Sequence, residues 1–167
     1  MRRKSLGLLL IAVIFPLLSY SQNFSLIEPN IKELKADLGK SDFVEDIFYL
    51  YLTRNYKVES EKFEIKNFEY PDYGICSFKQ SFHFGISYYS YKCDEAGGLT
   101  TELTLPKIDV ADLKNWIEKI YYADLTEIPN EWYEDGVTYG PIDREVGCYY
   151  QIMLENESWI VSAYCGC

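Results

Sequence analysis

The sequence predicts an α+β fold. We expect a single domain with a twisted, mostly antiparallel sheet of about five to six strands, two N-terminal helices and one inserted helix (about 109–122) packed on it. Three observations carry that expectation. Before residue 57 one stretch is framed by helix start and stop residues and a second places apolar side chains at helical spacing, and from about Lys62 the period changes to two. A third amphipathic stretch, DVADLKNWIEKIYY, then interrupts the run of strands.

The first residues stand apart from the fold. Arg2, Arg3 and Lys4 precede the apolar run Leu6 to Leu18, and Ser19 and Ser21 sit at small-residue positions before Gln22. This is the pattern of a signal peptide over 1–21, cleaved to leave one globular domain over 22–167. At 13 residues the apolar run falls short of the about 20 that span a bilayer.

In PNIKELKADLG, Pro29 suits a first helical turn and Gly39 a stop. SDFVEDIFYLYLTRNY follows, with Asp42 as N-cap and Glu45 three residues on. KFEIKNFE reads as a strand with Phe63 and Ile65 inward, ended by the turn YPDYG. The alternation from Cys76 to Tyr91 then reads as one long strand. Its inward face would hold Cys76, Phe78, Phe82, Phe84, Ile86 and Tyr88, with Gly85 as a bulge. LTTELTLPK returns as a strand up to Pro106. In the inserted helix Asp109 caps, and Val110, Leu113, Trp116, Ile117 and Ile120 form a stripe. One strand is expected near Gly136 to Tyr139, and a final hairpin pairs CYYQIML with WIVSAYC across the turn ENES.

Charge narrows the function. Removing Arg2, Arg3 and Lys4 from the 16 basic residues leaves 13 against 26 acids, a net of −13. Such a surface repels phosphate, so no nucleic acid and, after signal cleavage, no membrane are expected as partners. Within 121–147, Trp132, Tyr133, Glu134, Asp135 and Tyr139 combine aromatic faces with carboxylates. That mixture suits a basic protein through ion pairs and cation–π contacts, or a carbohydrate stacked on a ring.

The chemistry-bearing residues are few. No phosphate-binding glycine loop, nucleophile elbow or calcium loop is present, and the only histidine, His83, alternates with phenylalanines. No catalytic residue, cofactor or metal is expected. All five cysteines lie within 22–167, where an exported chain forms disulfides. Centring the last turn on Asn156 and Glu157 places Cys148 opposite Cys165, which predicts a Cys148–Cys165 bridge; a two-residue slip would give Cys148–Cys167. With Cys76 and Cys93 at opposite ends of one strand, Cys93–Cys167 is the second expected pair and Cys76 the odd thiol. A strained Cys165–Cys167 ring would instead make the CGC terminus a redox centre.

The functional expectation is therefore an exported, periplasmic or secreted, acidic binding domain. It would bind a basic protein without catalysis, in the manner of an inhibitor or immunity protein. The alternative is a carbohydrate-binding or glycoside-hydrolysing protein using the 121–147 loop, and the CGC dithiol is a third reading.

Overall fold

In the computed structural model, residues 24–41, 44–66, 74–93, 98–121, 125–129, 136–141 and 146–166 are described. They form an α+β domain with α1 (Ile31–Leu38), α2 (Ile47–Asn55) and α3 (Val110–Tyr121). Eight strands follow in chain order: β1 (Phe63–Lys66), β2 (Ile75–Phe82), β3 (Ile86–Tyr91), β4 (Leu99–Pro106), β5 (Glu127–Ile128), β6 (Val137–Tyr139), β7 (Gly147–Glu155) and β8 (Ser158–Gly166). All pairings are antiparallel, in the spatial order β1-β2-β3-β4-β8-β7-β6-β5. Two four-stranded meanders thus meet along β4 and β8, with α3 as the connection between them.

The sheet has more strands than its alternation announces. The expected long strand turns back at His83–Gly85, where Phe84 and Gly85 take positive φ values of 69° and 73°. Glycine adopts that conformation without cost, whereas a side chain there is strained by about 1–2 kcal/mol. Phe82 pairs with Ile86 across the turn, so β2 and β3 form a hairpin. Phe84 sits at the apex and is exposed, against the inward position expected for it. The short β5 supplies the eighth strand.

One face of the sheet is covered. Phe78, Phe82, Ile86, Tyr88, Leu103, Leu105, Val161, Ala163, Tyr150 and Ile152 point to it and are buried with residues of α2 and α3. Phe48 of α2 stacks on Trp116 of α3 with ring centroids 4.9 Å apart. The α3 stripe is buried at Leu113, Trp116, Ile117 and Ile120, and Val110 is exposed.

On β1 the inward side differs from the expectation. Phe63 pairs with Lys79 and Ile65 with Ser77, which puts both on the uncovered face, and Phe63 is 68% exposed. The inner side is served instead by Lys62, whose ammonium lies 4.3 Å from the Phe78 ring centroid and binds Glu45.

Helix starts follow local chemistry. Asn30 caps α1 through the Glu33 amide and Asp109 accepts from the Ala111 amide. The cap of α2 is Asp46, which accepts from the Tyr49 amide at 3.1 Å, four residues beyond the expected Asp42. Ahead of α1, residues 24–28 form an extended strap that Tyr51 holds. Its hydroxyl accepts from the Ile27 amide at 2.9 Å and donates to the Ile27 carbonyl at 2.7 Å.

Candidate functional site

Of the five residues expected to bind a ligand, Trp132, Tyr133, Glu134 and Asp135 lie outside the described residues. Tyr139 is described, and it is no surface platform. It is 4% exposed on the covered face of β6, with the Lys114 ammonium 4.5 Å from its ring centroid.

The cysteines define one end of the sheet. Cys148 and Cys165 stand opposite each other in the β7–β8 register and are joined by a disulfide. The last turn has positive φ at both Asn156 (46°) and Glu157 (63°), as a two-residue hairpin turn requires, and this fixes that register. The expected Cys93–Cys167 pair is overturned: Cys93 is bonded to Cys76, with Cα atoms 4.8 Å apart. The physical reason is the turn at His83–Gly85, which folds the supposed long strand in half and returns residue 93 to residue 76. The Lys92 amide donates to the Cys76 carbonyl at 2.7 Å beside the bridge. With Cys165 bonded to Cys148, the Cys165–Cys167 redox ring is excluded; Cys167 itself lies outside the described residues.

Both bridges staple the same end. Ser77 pairs with Tyr91 and Leu99 with Cys165, so β2, β3, β4 and β8 all have their bridged or flanking residues there. The described residues that flank the segments joining β1 to β2, β3 to β4, α3 to β5 and β6 to β7 stand at this end. Charge is distributed accordingly. The helices and strands hold eight acidic and seven basic side chains, a net of −1, whereas the connecting segments after residue 23 hold 18 acids against six basic residues, a net of −12. Seven of those acids (Glu69, Asp72, Asp94, Glu95, Asp124, Asp143 and Glu145) belong by sequence to the four segments flanked by the stapled end.

A buried titratable cluster lies at the start of α2. Asp46, 6% exposed, accepts from the Tyr88 hydroxyl at 2.7 Å and the Tyr121 hydroxyl at 2.6 Å, besides capping α2. Burial raises its pKa, against the hydrogen bonds from Tyr121, Tyr88 and the Tyr49 amide. Burial also pushes both tyrosines up, and the neighbouring Asp46 charge adds to it. Each donor is committed to the carboxyl, so the cluster pins α2 to β3 and the end of α3. Sequence reasoning passed over Asp46, although an aspartate directly before the apolar IFYLYL is itself a cap signal.

His83 is on the β2–β3 turn, exposed, with Nδ1 2.8 Å from a Glu59 carboxylate oxygen. A cavity of about 650 Å³ separates the strap from the start of α3, and Glu28, Asp109, Asp112, Lys107 and Lys119 stand on it. Its two lysines are engaged, Lys119 with Glu28 at 2.8 Å and Lys107 with Glu157 at 3.0 Å. Among the described residues no group of three His, Cys, Asp or Glu is placed to hold a metal ion, and no helix is long and apolar enough to cross a membrane. No family model, curated protein or solved structure matches the chain.

Proposed function

We propose that this chain is an exported, non-catalytic binding domain that recognises a basic protein, an inhibitor- or immunity-type activity. The observation that carries this reading is the segregation of charge. The helices and strands are nearly balanced and the acidic excess lies in connecting segments, four of which, with seven acids, are flanked by the disulfide-stapled end. Electrostatic complementarity of this kind accelerates encounter and selects partners of opposite charge. Export is supported by the signal-like residues 1–21 and by two disulfides, which persist in oxidising compartments. The non-catalytic reading is supported by the state of the reactive groups. The four described cysteines are in bridges, His83 is in contact with Glu59, and Asp46 is enclosed by its donors.

The test is retention of a partner on immobilised, disulfide-intact residues 22–167 from the native envelope and culture fluid. A basic protein should be retained at low salt and released as ionic strength rises. A variant carrying Glu69→Gln, Asp72→Asn, Asp143→Asn and Glu145→Gln should lose it while keeping the same melting temperature. Equal retention by that variant, or no protein retained by the wild type, would contradict the reading.

A further inference from the structure

The sheet face turned away from the helices carries a groove of about 300 Å³ over β7 and β8. Strand alternation sends Tyr150 and Ala163 to the core, so six side chains line it: Thr100, Thr138, Tyr149, Gln151, Ser162 and Tyr164. The register arranges them in two rungs. Tyr149 stands opposite Tyr164, which is also opposite Thr100; Gln151 stands opposite Ser162 on one side and Thr138 on the other.

Glycines keep the two tyrosines apart. The Tyr149 ring leans toward β6 over Gly140, where a Cβ would lie 2.5 Å from the ring's Cδ1. The Tyr164 ring leans the other way, over Gly98 before β4, where a Cβ would lie 2.7 Å from Cε2. It also covers Gly166 on its own strand, where a Cβ would lie 2.6 Å from its hydroxyl. Three positions without side chains therefore seat the rings as outward-leaning walls, with the Gln151–Ser162 rung as a floor beside them, two residues along the strands.

The chemistry of the lining selects a ligand class. None of these side chains is charged, in a protein with 25% charged residues, so a charged ligand would lose hydration with no counter-ion to meet it. Amide and hydroxyl groups supply both donors and acceptors, and the tyrosine faces offer apolar area with a polar tip. Thr138 adds a second indication: it is 3% exposed, and its Oγ1 has no hydrogen-bond partner among the described residues. A buried hydroxyl left so costs about 1–3 kcal/mol, which a ligand hydroxyl relieves. The volume stands at the small end of ligand sites, about 300–1,000 Å³. We propose that this groove binds one ring of a neutral saccharide. The apolar face of the sugar would lie against Tyr149 and Tyr164, and its hydroxyls would reach the Gln151, Ser162 and Thr138 floor. This site is independent of the charged end and of the 121–147 loop as a sugar platform.

The test is a two-dimensional NMR titration of disulfide-intact residues 22–167 with glucose, galactose, N-acetylglucosamine and their β-linked disaccharides. At least one should shift amides at 100, 138, 149, 151, 162 and 164, with little dependence on salt. Tyr149→Ala and Ser162→Ala should each weaken binding about tenfold, or about 1.4 kcal/mol. Gly140→Ala, by pushing the Tyr149 ring over the floor, should do the same. Ser162→Ala removes one hydroxyl and keeps the fold, so its result stands even where a tyrosine variant folds poorly. Retention of the basic partner should survive Ser162→Ala, which separates this proposal from the charge-based one. Absence of shifts with every sugar, shifts centred elsewhere, or unchanged affinity in Ser162→Ala and Tyr149→Ala would overturn it.

Discussion

Replacing Asp46 with alanine is expected to lower the unfolding free energy by about 3–5 kcal/mol, measured by urea denaturation at neutral pH. Three losses combine. The α2 cap disappears, and the buried hydroxyls of Tyr88 and Tyr121 are left without their acceptor. Asp46→Asn keeps the capping oxygen and can meet both tyrosines, so its cost is expected to stay within about 1.5 kcal/mol. The pair of variants also isolates the charge. Because burial raises the folded pKa, the carboxyl's contribution to stability is complete below the unfolded value of about 3.9 and is lost as pH rises through the folded value. Wild-type stability should therefore fall relative to Asp46→Asn as pH rises through that window, with a slope of up to about 1.4 kcal/mol per pH unit. A difference that is flat, or that moves toward the wild type, would contradict the buried-carboxyl account.

Reduction should have an effect of similar size. Each bridge spans a sequence separation of 17, for which the chain-entropy model gives about 3 kcal/mol. The two loops, 76–93 and 148–165, share no residues and lie in different hairpins, so their contributions should add approximately. Together they amount to about 6 kcal/mol, a large part of the about 5–15 kcal/mol that keeps a domain folded. Cys76→Ala/Cys93→Ala and Cys148→Ala/Cys165→Ala should each lose about 3 kcal/mol in denaturant, and full reduction about 6 kcal/mol. A quadruple variant as stable as the oxidised wild type would show that the hairpins need no staple.

The last hairpin was fully legible because its turn and its period agree. ENES centres the turn, and every rung out to Cys148 and Cys165 follows by counting. The β2–β3 hairpin was hidden by parity. Phe82 and Ile86 face each other across a three-residue turn, so both point inward and the alternation runs through the reversal without a break. Only Gly85 marked the place, and it reads equally as a bulge. That single missed turn also produced the wrong cysteine pairing. On β1, pairing with β2 sets the register, and a short edge strand shows no clear inward face in its own residues. Four of the six groove residues, Tyr149, Gln151, Ser162 and Tyr164, stand at outward positions of the final hairpin. The glycines that hold Tyr149 and Tyr164 apart stand just after β6, just before β4 and at the end of β8, and only the sheet order brings them there.

The proposed recognition of a basic partner makes a claim about place as well as charge, and zero-length cross-linking of carboxylates to lysines tests both. The wild-type complex recovered at low salt would be treated with a carbodiimide and its cross-linked peptides identified. Links should run to partner lysines from Glu69, Asp72, Asp94, Glu95, Asp124, Asp143 and Glu145, the acids of the four segments flanked by the stapled end. Links arising mainly from Glu33 and Asp37 on α1, or from Glu155 and Glu157 at the opposite end of β7, would contradict it.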